Sequence, residues 1–175
     1  DVVAPCSACY LNLCKTQRYL EEYPETGRKV KAGLRAIGLS YAGTLKVRHP
    51  LDVIVNDVGL DAVKKRIKKP LQGLKVVPYY GCQIVRPYST FDDAFNPTTL
   101  DNLLAALGAD VVPFGLKTRC CGGSLTGTLE SVGVPLAHRI LLDSFAAGSM
   151  GASSRARVPS GKARMRATIS SQVWV

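Results

Sequence analysis

The sequence lacks the features that mark membrane-spanning and exported chains. It contains no run of eighteen apolar residues, which excludes a transmembrane helix of ordinary length. The first ten residues, DVVAPCSACY, have neither a positively charged n-region nor a long apolar h-region, so a secretory signal is not expected. The chain also begins without Met, which suggests a fragment or a processed chain. We therefore expect a cytoplasmic protein with no direct membrane span.

Acidic residues are missing from the C-terminal part of the sequence. Residues 149–175 contain five basic residues and no Asp or Glu, and they contribute half of the net charge of +10. The rest of the chain has no basic stripe with interleaved aromatic residues, which nucleic-acid-binding surfaces usually show. Its densest basic run, residues 64–69, is typical of the solvated end of a helix. We therefore expect no nucleic acid partner.

Six cysteines are more informative than the charge. A disulfide framework is disfavoured, because a chain of 175 residues with 46% hydrophobic residues can build a core without cross-links, and no export signal is present. Adjacent cysteines also cannot easily pair with each other without strain. A reduced set with metal-binding thiols is the better interpretation of these residues, which are Cys6, Cys9, Cys14, Cys82, Cys120 and Cys121.

The apolar pattern alternates between strand and helix periods. It predicts short strands over residues 2–3, 45–49, 74–80 and 110–114. It predicts helices over residues 10–22, 26–37, 50–67 (interrupted at Gly59), 97–107 and 128–147, the last of them stopped by Gly148. Strands that alternate with helices indicate an α/β fold built from βαβ units, with a small and mostly parallel sheet.

The α/β pattern stops after Gly148, where a further strand would be expected. We predict that residues 149–175 form an unstructured tail, because they contain no periodic apolar run. The alternative is that this segment is not the natural continuation of the chain, for example after a frame change. In that case, one of the other two reading frames of the coding DNA should encode a strand followed by cysteines.

Thiols lie in the loops that follow two of the predicted strands. Cys82 comes after strand 74–80, and Cys120 and Cys121 come after strand 110–114. Because the carboxyl ends of parallel strands meet at one edge of a sheet, we expect these three thiols to lie together. Thiolates suit soft metals, either zinc or an iron–sulfur cluster. Adjacent side chains diverge, which is awkward for one tetrahedral zinc and easier for a cluster with several irons.

These motifs resemble the cysteine-rich CCG-domain family, and within it the B-type subunit of heterodisulfide reductase and its bacterial relatives. The resemblance rests on Tyr80-Gly81-Cys82, on Cys120-Cys121-Gly122-Gly123, and on Cys6-x-x-Cys9 in the context PCSACYLNL. Family members usually carry two tandem copies of a Cys…Cys-Cys-Gly…Cys-x-x-Cys pattern. Residues 1–40 then correspond to the C-terminal remnant of a first CCG domain, and residues 41–148 to an incomplete second one.

The resemblance implies a noncubane 4Fe-4S cluster, with zinc as the alternative. The implied ligands are Cys6, Cys9, Cys82, Cys120 and Cys121. No cysteine follows Cys121, so the Cys-x-x-Cys that would close the second copy is missing from the sequence.

The activity that the resemblance implies is that of an oxidoreductase subunit. Such a subunit reduces a disulfide substrate with electrons that arrive from partner iron–sulfur and flavin subunits. One alternative is an electron-transfer CCG domain of a lactate, glycolate or succinate oxidoreductase. Another is a non-catalytic zinc-binding module.

Two side chains near these motifs have competing interpretations. His49 ends a predicted strand and could donate a proton to a leaving thiolate, although capping of the next helix is the commoner use of such a residue. Cys14 lies more than one helical turn beyond Cys9, and we expect it to be a half-buried helix thiol.

Overall fold

A computed structural model describes residues 1–88 and 91–149 of the chain. Over these residues the chain forms two parallel sheets of two strands each, with helices between the strands. This arrangement confirms the predicted α/β fold with small parallel sheets. The predicted tail lies outside the described residues, except for Ser149, which belongs to the last helix.

The N-terminal part of the chain builds the first sheet and two helices. Val2 lies opposite Val47, and Val3 opposite Arg48, in a parallel register. The elements are β1 (Val2–Val3), α1 (Ser7–Glu22), α2 (Pro24–Ala36) and β2 (Val47–Arg48).

Both helices of this part begin earlier than the sequence predicted. Helix α1 begins at Ser7 instead of Tyr10, because Cys6 has the extended backbone of an N-cap residue. Pro24 does not only end α1 but is also the first residue of α2, since a proline in the first turn lacks only an N–H that has no partner in the helix.

A broken helix follows β2. It consists of α3 (Pro50–Asp52), a π-helical segment (Val53–Gly59) and α4 (Leu60–Arg66). Gly59 has a φ of +82°, a conformation that glycine adopts without strain, and it separates the π-helical segment from α4. The interruption predicted at Gly59 is therefore confirmed.

The second sheet lies in the C-terminal half of the described chain. Lys75 pairs with Asp110 and Val76 with Val111, again in parallel. The elements are β3 (Lys75–Val76), α5 (Thr99–Ala106), β4 (Asp110–Val111) and α6 (Glu130–Ser149).

Strands β3 and β4 are shorter than predicted, and β3 is not the buried strand that the sequence suggested. Pro78 and Pro113 cannot donate to a ladder, so regular pairing ends before them. Leu74 is 50% exposed, because within the described residues β3 pairs only with β4. Helix α6 continues through Gly148, which was predicted to stop it, since Gly148 is not among the glycines with positive φ.

Two buried clusters form the core, and Phe91 packs against both of them. One cluster joins the first sheet to α1 and contains Ala4, Tyr10 and Val47. The other lies between the broken helix and the loop after β3, and it contains Leu51, Tyr80, Ile84 and Val85. The shared contact at Phe91 ties the N-terminal elements to the segment that carries Cys82.

Candidate functional site

The loop after β3 is held against the loop after β4 by its backbone. The N–H groups of Tyr80 and Gly81 both donate to the carbonyl oxygen of Lys117, at 2.8 and 3.1 Å. Gly81 has a φ of +70°, which turns the chain immediately before Cys82. The backbone just before Cys82 is therefore fixed relative to Lys117.

Side chains extend this contact to the next two peptide groups. The Arg86 guanidinium donates to the carbonyl oxygen of Thr118 at 2.6 Å. The Tyr79 hydroxyl donates to the carbonyl oxygen of Arg119, also at 2.6 Å. Three consecutive carbonyl groups, 117 to 119, thus accept hydrogen bonds from residues 79–86. This places the loop of Cys82 beside the pair that follows Arg119.

Cys82 lies within interaction distance of both thiols that follow β4. Burial raises the pKa of the Cys82 thiol, and the neighbouring Cys120 and Cys121 raise it further. Burial also raises the pKa of Tyr79, followed by the effects of Cys121, Cys82 and Cys120. A negative charge on Cys82 or on Tyr79 is therefore opposed by burial and by the neighbouring thiols. Cys82 and Cys121 are half-buried, whereas Cys120 is exposed.

Glycines allow the Cys-Cys-Gly-Gly segment to approach both sulfur and helix α6. The N–H of Gly122 donates to Cys120 Sγ at 3.4 Å. Gly122 has a φ of +71°, and a β-carbon on it would lie 2.9 Å from the α-carbon of Gly133. A β-carbon on Gly123 would lie 3.4 Å from Cys121 Sγ.

The thiols can be compared with the two kinds of metal site that the sequence allowed, zinc and an iron–sulfur cluster. Over residues 1–88 and 91–149, no three His, Cys, Asp or Glu side chains are grouped so that they could hold a single metal ion. Cys82 interacts with both Cys120 and Cys121. Thiolates are ligands of zinc and of iron–sulfur clusters alike, so the donor set leaves both metals open.

Cys6 and Cys9 form a second set of thiols at the start of α1. Cys6 is the N-cap residue, and the backbone N–H of Cys9 is the main cause that lowers its pKa, followed by the Cys9 thiol and the backbone N–H of Ala8. Cys6 in turn raises the pKa of Cys9. Both thiols are exposed. Metal binding by either set stays a prediction.

His49 lies among aromatic rings and caps a helix. Its Nδ1 accepts from the N–H of Leu51 at 3.2 Å at the start of α3. Its ring stacks on Phe91, and Tyr10 contacts it edge-on with the centroids 5.7 Å apart. Burial lowers the pKa of His49. The capping interpretation agrees with this geometry, and the proton-donor role stays a prediction. Cys14 is half-buried, as expected, and burial raises its pKa.

Sequence reasoning did not single out Lys117, which is buried beside the site with 9% of its surface exposed. Its ammonium donates to the carbonyl oxygen of Pro97 at 2.5 Å and to Asp101 at 3.2 Å. The Tyr80 hydroxyl donates to the same Asp101 carboxylate at 2.5 Å and accepts from the N–H of Leu100. A single lysine in a polar loop gives no sequence signal of burial, so this network could not be predicted.

An apolar cleft of about 360 Å³ adjoins Cys121. It lies between β3 and α6, and Tyr79 and Cys121 line it together with Val76 and Ile140. In the part of the chain that the structure describes, no helix combines the length and apolar character needed to cross a bilayer.

Comparison with known proteins identifies the region that contains the three thiols. Residues 76–141 match the family described as CCG, a cysteine-rich domain. This range contains the end of β3, all of α5 and β4, and the first part of α6, together with Cys82, Cys120 and Cys121.

Most of the chain is also similar to larger proteins. A protein of Archaeoglobus profundus that is named as similar to the B-type subunit of heterodisulfide reductase is 36% identical over 133 residues, which are 73% of this chain and 44% of that protein. The 8-methylmenaquinol:fumarate reductase membrane anchor subunit of Wolinella succinogenes is 33% identical over 142 residues, 80% of this chain and 49% of that protein. The B-type subunit of the ferredoxin:CoB-CoM heterodisulfide reductase of Methanosarcina mazei is 32% identical over 124 residues, 70% of this chain and 41% of that protein.

The chain spans less than half the length of each of these curated relatives. Their similarity agrees with the resemblance that the cysteine motifs indicated. Residues 76–141 of this chain form a domain of the CCG cysteine-rich family.

Proposed function

We propose that this chain is an iron–sulfur component of a heterodisulfide reductase-like complex, which reduces a disulfide substrate at a cysteine-ligated 4Fe-4S cluster. One observation carries the proposal: the loops after β3 and β4 bring Cys82 beside Cys120 and Cys121, although 37 residues separate Cys82 from Cys120. Hydrogen bonds to three consecutive carbonyl groups hold these loops together. The relatives that are named after heterodisulfide reductase support the same class of function.

The proposed ligands are Cys82, Cys120 and Cys121 in one set, and Cys6 and Cys9 in the other. Thiolates are the usual ligands of iron–sulfur clusters, and a cluster held there would supply and accept single electrons. The Gly122 N–H, which already donates to Cys120 Sγ, would help to stabilise a thiolate at that position. We infer a noncubane cluster type from the family resemblance.

Other side chains of the site have roles in binding and proton handling. The Tyr79 hydroxyl stays protonated, because burial and the neighbouring thiols raise its pKa. It donates a hydrogen bond to the carbonyl oxygen of Arg119. Arg119 places an exposed cation next to Cys120, where it would attract an anionic substrate or offset the charge of thiolate-bound iron. His49 remains the proposed proton donor to a leaving thiolate, through the nitrogen that does not cap α3.

The proposal also includes partners and location. Reduction of a disulfide needs two electrons, and the family resemblance implies that partner subunits deliver them. We therefore propose that iron–sulfur and flavin subunits of the same complex supply the electrons. We propose a cytoplasmic location for the chain.

A second candidate function is electron transfer without disulfide chemistry. The similarity to the fumarate reductase anchor subunit favours it, because the name of that relative refers to a quinol and fumarate and not to a disulfide. In that case the same thiols would hold the cluster, and the substrate would react on another subunit.

Metal analysis of the full chain, purified without oxygen, tests the proposal. We expect iron and acid-labile sulfide in similar amounts and little zinc. Stoichiometric zinc without iron or sulfide would contradict the redox function and favour the zinc-binding module. Electron paramagnetic resonance of the oxidised cluster, recorded with and without added thiols, separates the two redox candidates. A spectrum changed by thiol binding supports disulfide chemistry, and an unchanged spectrum favours electron transfer.

A further inference from the structure

We propose that Lys117 is a positioning residue, which holds Cys82 beside Cys120 by anchoring the loop after β4 to the start of α5. The importance of this role for a redox centre rests on the proposed function. The contacts of Lys117 do not depend on that function.

The backbone of Lys117 is the point where the two thiol-bearing loops meet. Its carbonyl oxygen accepts from two successive N–H groups, those of Tyr80 and Gly81. Cys82 follows Gly81 directly, and Cys120 comes three residues after Lys117. A displacement of the Lys117 peptide group would therefore change the spacing between the two thiols.

The side chain of Lys117 anchors the same residue to the start of α5. Its buried ammonium donates to the Pro97 carbonyl and forms an ion pair with Asp101, in the first turn of α5. Asp101 also accepts from the Tyr80 hydroxyl, which itself accepts from the N–H groups of Leu100 and Asp101. Tyr80, which lies just before Cys82, and Lys117, which lies just before Cys120, thus both bind the Asp101 carboxylate.

Burial of an ammonium group in a protein interior is energetically unfavourable. Burying it costs free energy that a methionine or leucine would not require, and only directed hydrogen bonds offset the cost. Lys117 uses its donors on a carbonyl and a carboxylate from one short segment, which fixes the direction of the side chain. The ammonium also lies 5.7 Å from the centroid of the Tyr80 ring. These contacts define one position for the loop, whereas an apolar side chain would permit several.

Thiol oxidation in the metal-free 175-residue chain tests this role without any cluster. Diamide removes two electrons and two protons from a pair of thiols, forming one disulfide while the reagent becomes its hydrazine. Peptide mass spectrometry then gives the rate at which the Cys82–Cys120 disulfide appears. We expect Lys117→Met to lower this rate about tenfold, because small displacements of reacting groups have large effects on intramolecular reactions. Lys117→Arg, which retains donors for both acceptors, is expected to restore most of the rate.

Matched variants separate positioning from general stability. Lys75→Met removes an exposed lysine from β3 of the second sheet. The oxidation rate of this variant should equal that of the parent. Asp101→Asn keeps an acceptor for Tyr80 and removes the charge opposite Lys117, so the rate should fall by a smaller factor. The double variant Lys117→Met/Asp101→Asn leaves no unpaired buried charge, and it replaces the single variant if that one does not fold.

The outcomes are distinct. A folded Lys117→Met or double variant that forms the Cys82–Cys120 disulfide at the parental rate would overturn the proposal, as would a parent chain in which that disulfide does not form. A parent that forms the disulfide but binds no iron would contradict the proposed function and leave the positioning role intact. Slow oxidation in the Lys117→Met variant, with recovery in Lys117→Arg, would support the proposal.

Discussion

The backbone of Gly122 packs against that of Gly133 so closely that a β-carbon on Gly122 would lie 2.9 Å from the Gly133 α-carbon. Gly133 lies in the first turn of α6, and Gly122 follows the thiol pair directly. A side chain on Gly133 would in turn meet the backbone of Thr126 and Gly122. The start of α6 therefore determines where the peptide after Cys121 can lie.

Replacement of Gly122 by alanine should be strongly destabilising. The new side chain would combine a φ of +71° with a backbone clash, and we expect the free energy of unfolding to fall by about 2–4 kcal/mol. Urea unfolding measures this change. Gly127→Ala is the matched control, because nothing lies within 4 Å of a β-carbon there. Equal stability of the two variants would show that the close packing on α6 does not exist in solution.

Loss of the Tyr80 hydroxyl should also lower stability, through α5. The hydroxyl is the acceptor for the N–H groups of Leu100 and Asp101 at the first turn of that helix. Tyr80→Phe leaves these donors without that acceptor, so we expect a loss of about 1–3 kcal/mol in urea unfolding. Tyr23→Phe alters a tyrosine that is 54% exposed, and it should change little. A Tyr80→Phe variant as stable as the control would argue against this capping contact.

The buried His49 should make stability depend on pH. Its folded-state pKa is lowered by burial, so between that pKa and the unfolded value near 6.5 the unfolded chain binds more protons. Stability should therefore rise with pH through this window and fall as the pH drops below about 6.5. Unfolding by urea at a series of pH values between about 5 and 7.5 measures the slope.

His49→Asn is the informative variant for this dependence. Asparagine can still cap α3 but does not titrate, so the slope should become smaller while α3 is retained. His138→Gln removes the other histidine, which is exposed on α6, and the slope should persist. A slope that disappears in His138→Gln instead would contradict the burial of His49.

The positions of the strands and thiols could be predicted because they depend on local apolar pattern and on the geometry of parallel sheets. Cys82 and the Cys120–Cys121 pair needed only the rule that parallel strands end at a common edge. The ends of elements were less predictable. Cys6 is not a typical N-cap residue, so the early start of α1 gave no signal. Pro78 and Pro113 shorten both strands of the second sheet, although the apolar runs from which the strands were predicted continue past these prolines.

The contacts that support the thiols could not be predicted from the sequence. The hydrogen bonds of Tyr79, Arg86 and Lys117 join residues 20 to 40 positions apart, and no periodicity relates such positions. Packing in three dimensions, and not local propensity, selects them. The structure gives the Tyr79 and Tyr80 hydroxyl groups separate acceptors, the Arg119 carbonyl oxygen and the Asp101 carboxylate.

The most direct measurement of the central claim is the amount of iron bound per chain after anaerobic reconstitution, compared between Cys120→Ser and Cys14→Ser. Cys120 lies in the thiol trio, whereas Cys14 is a half-buried thiol of α1 beside Tyr10. If Cys82, Cys120 and Cys121 together hold an iron–sulfur cluster, Cys120→Ser loses most of the iron and Cys14→Ser retains the parental amount. Equal iron contents in the two variants would contradict the account.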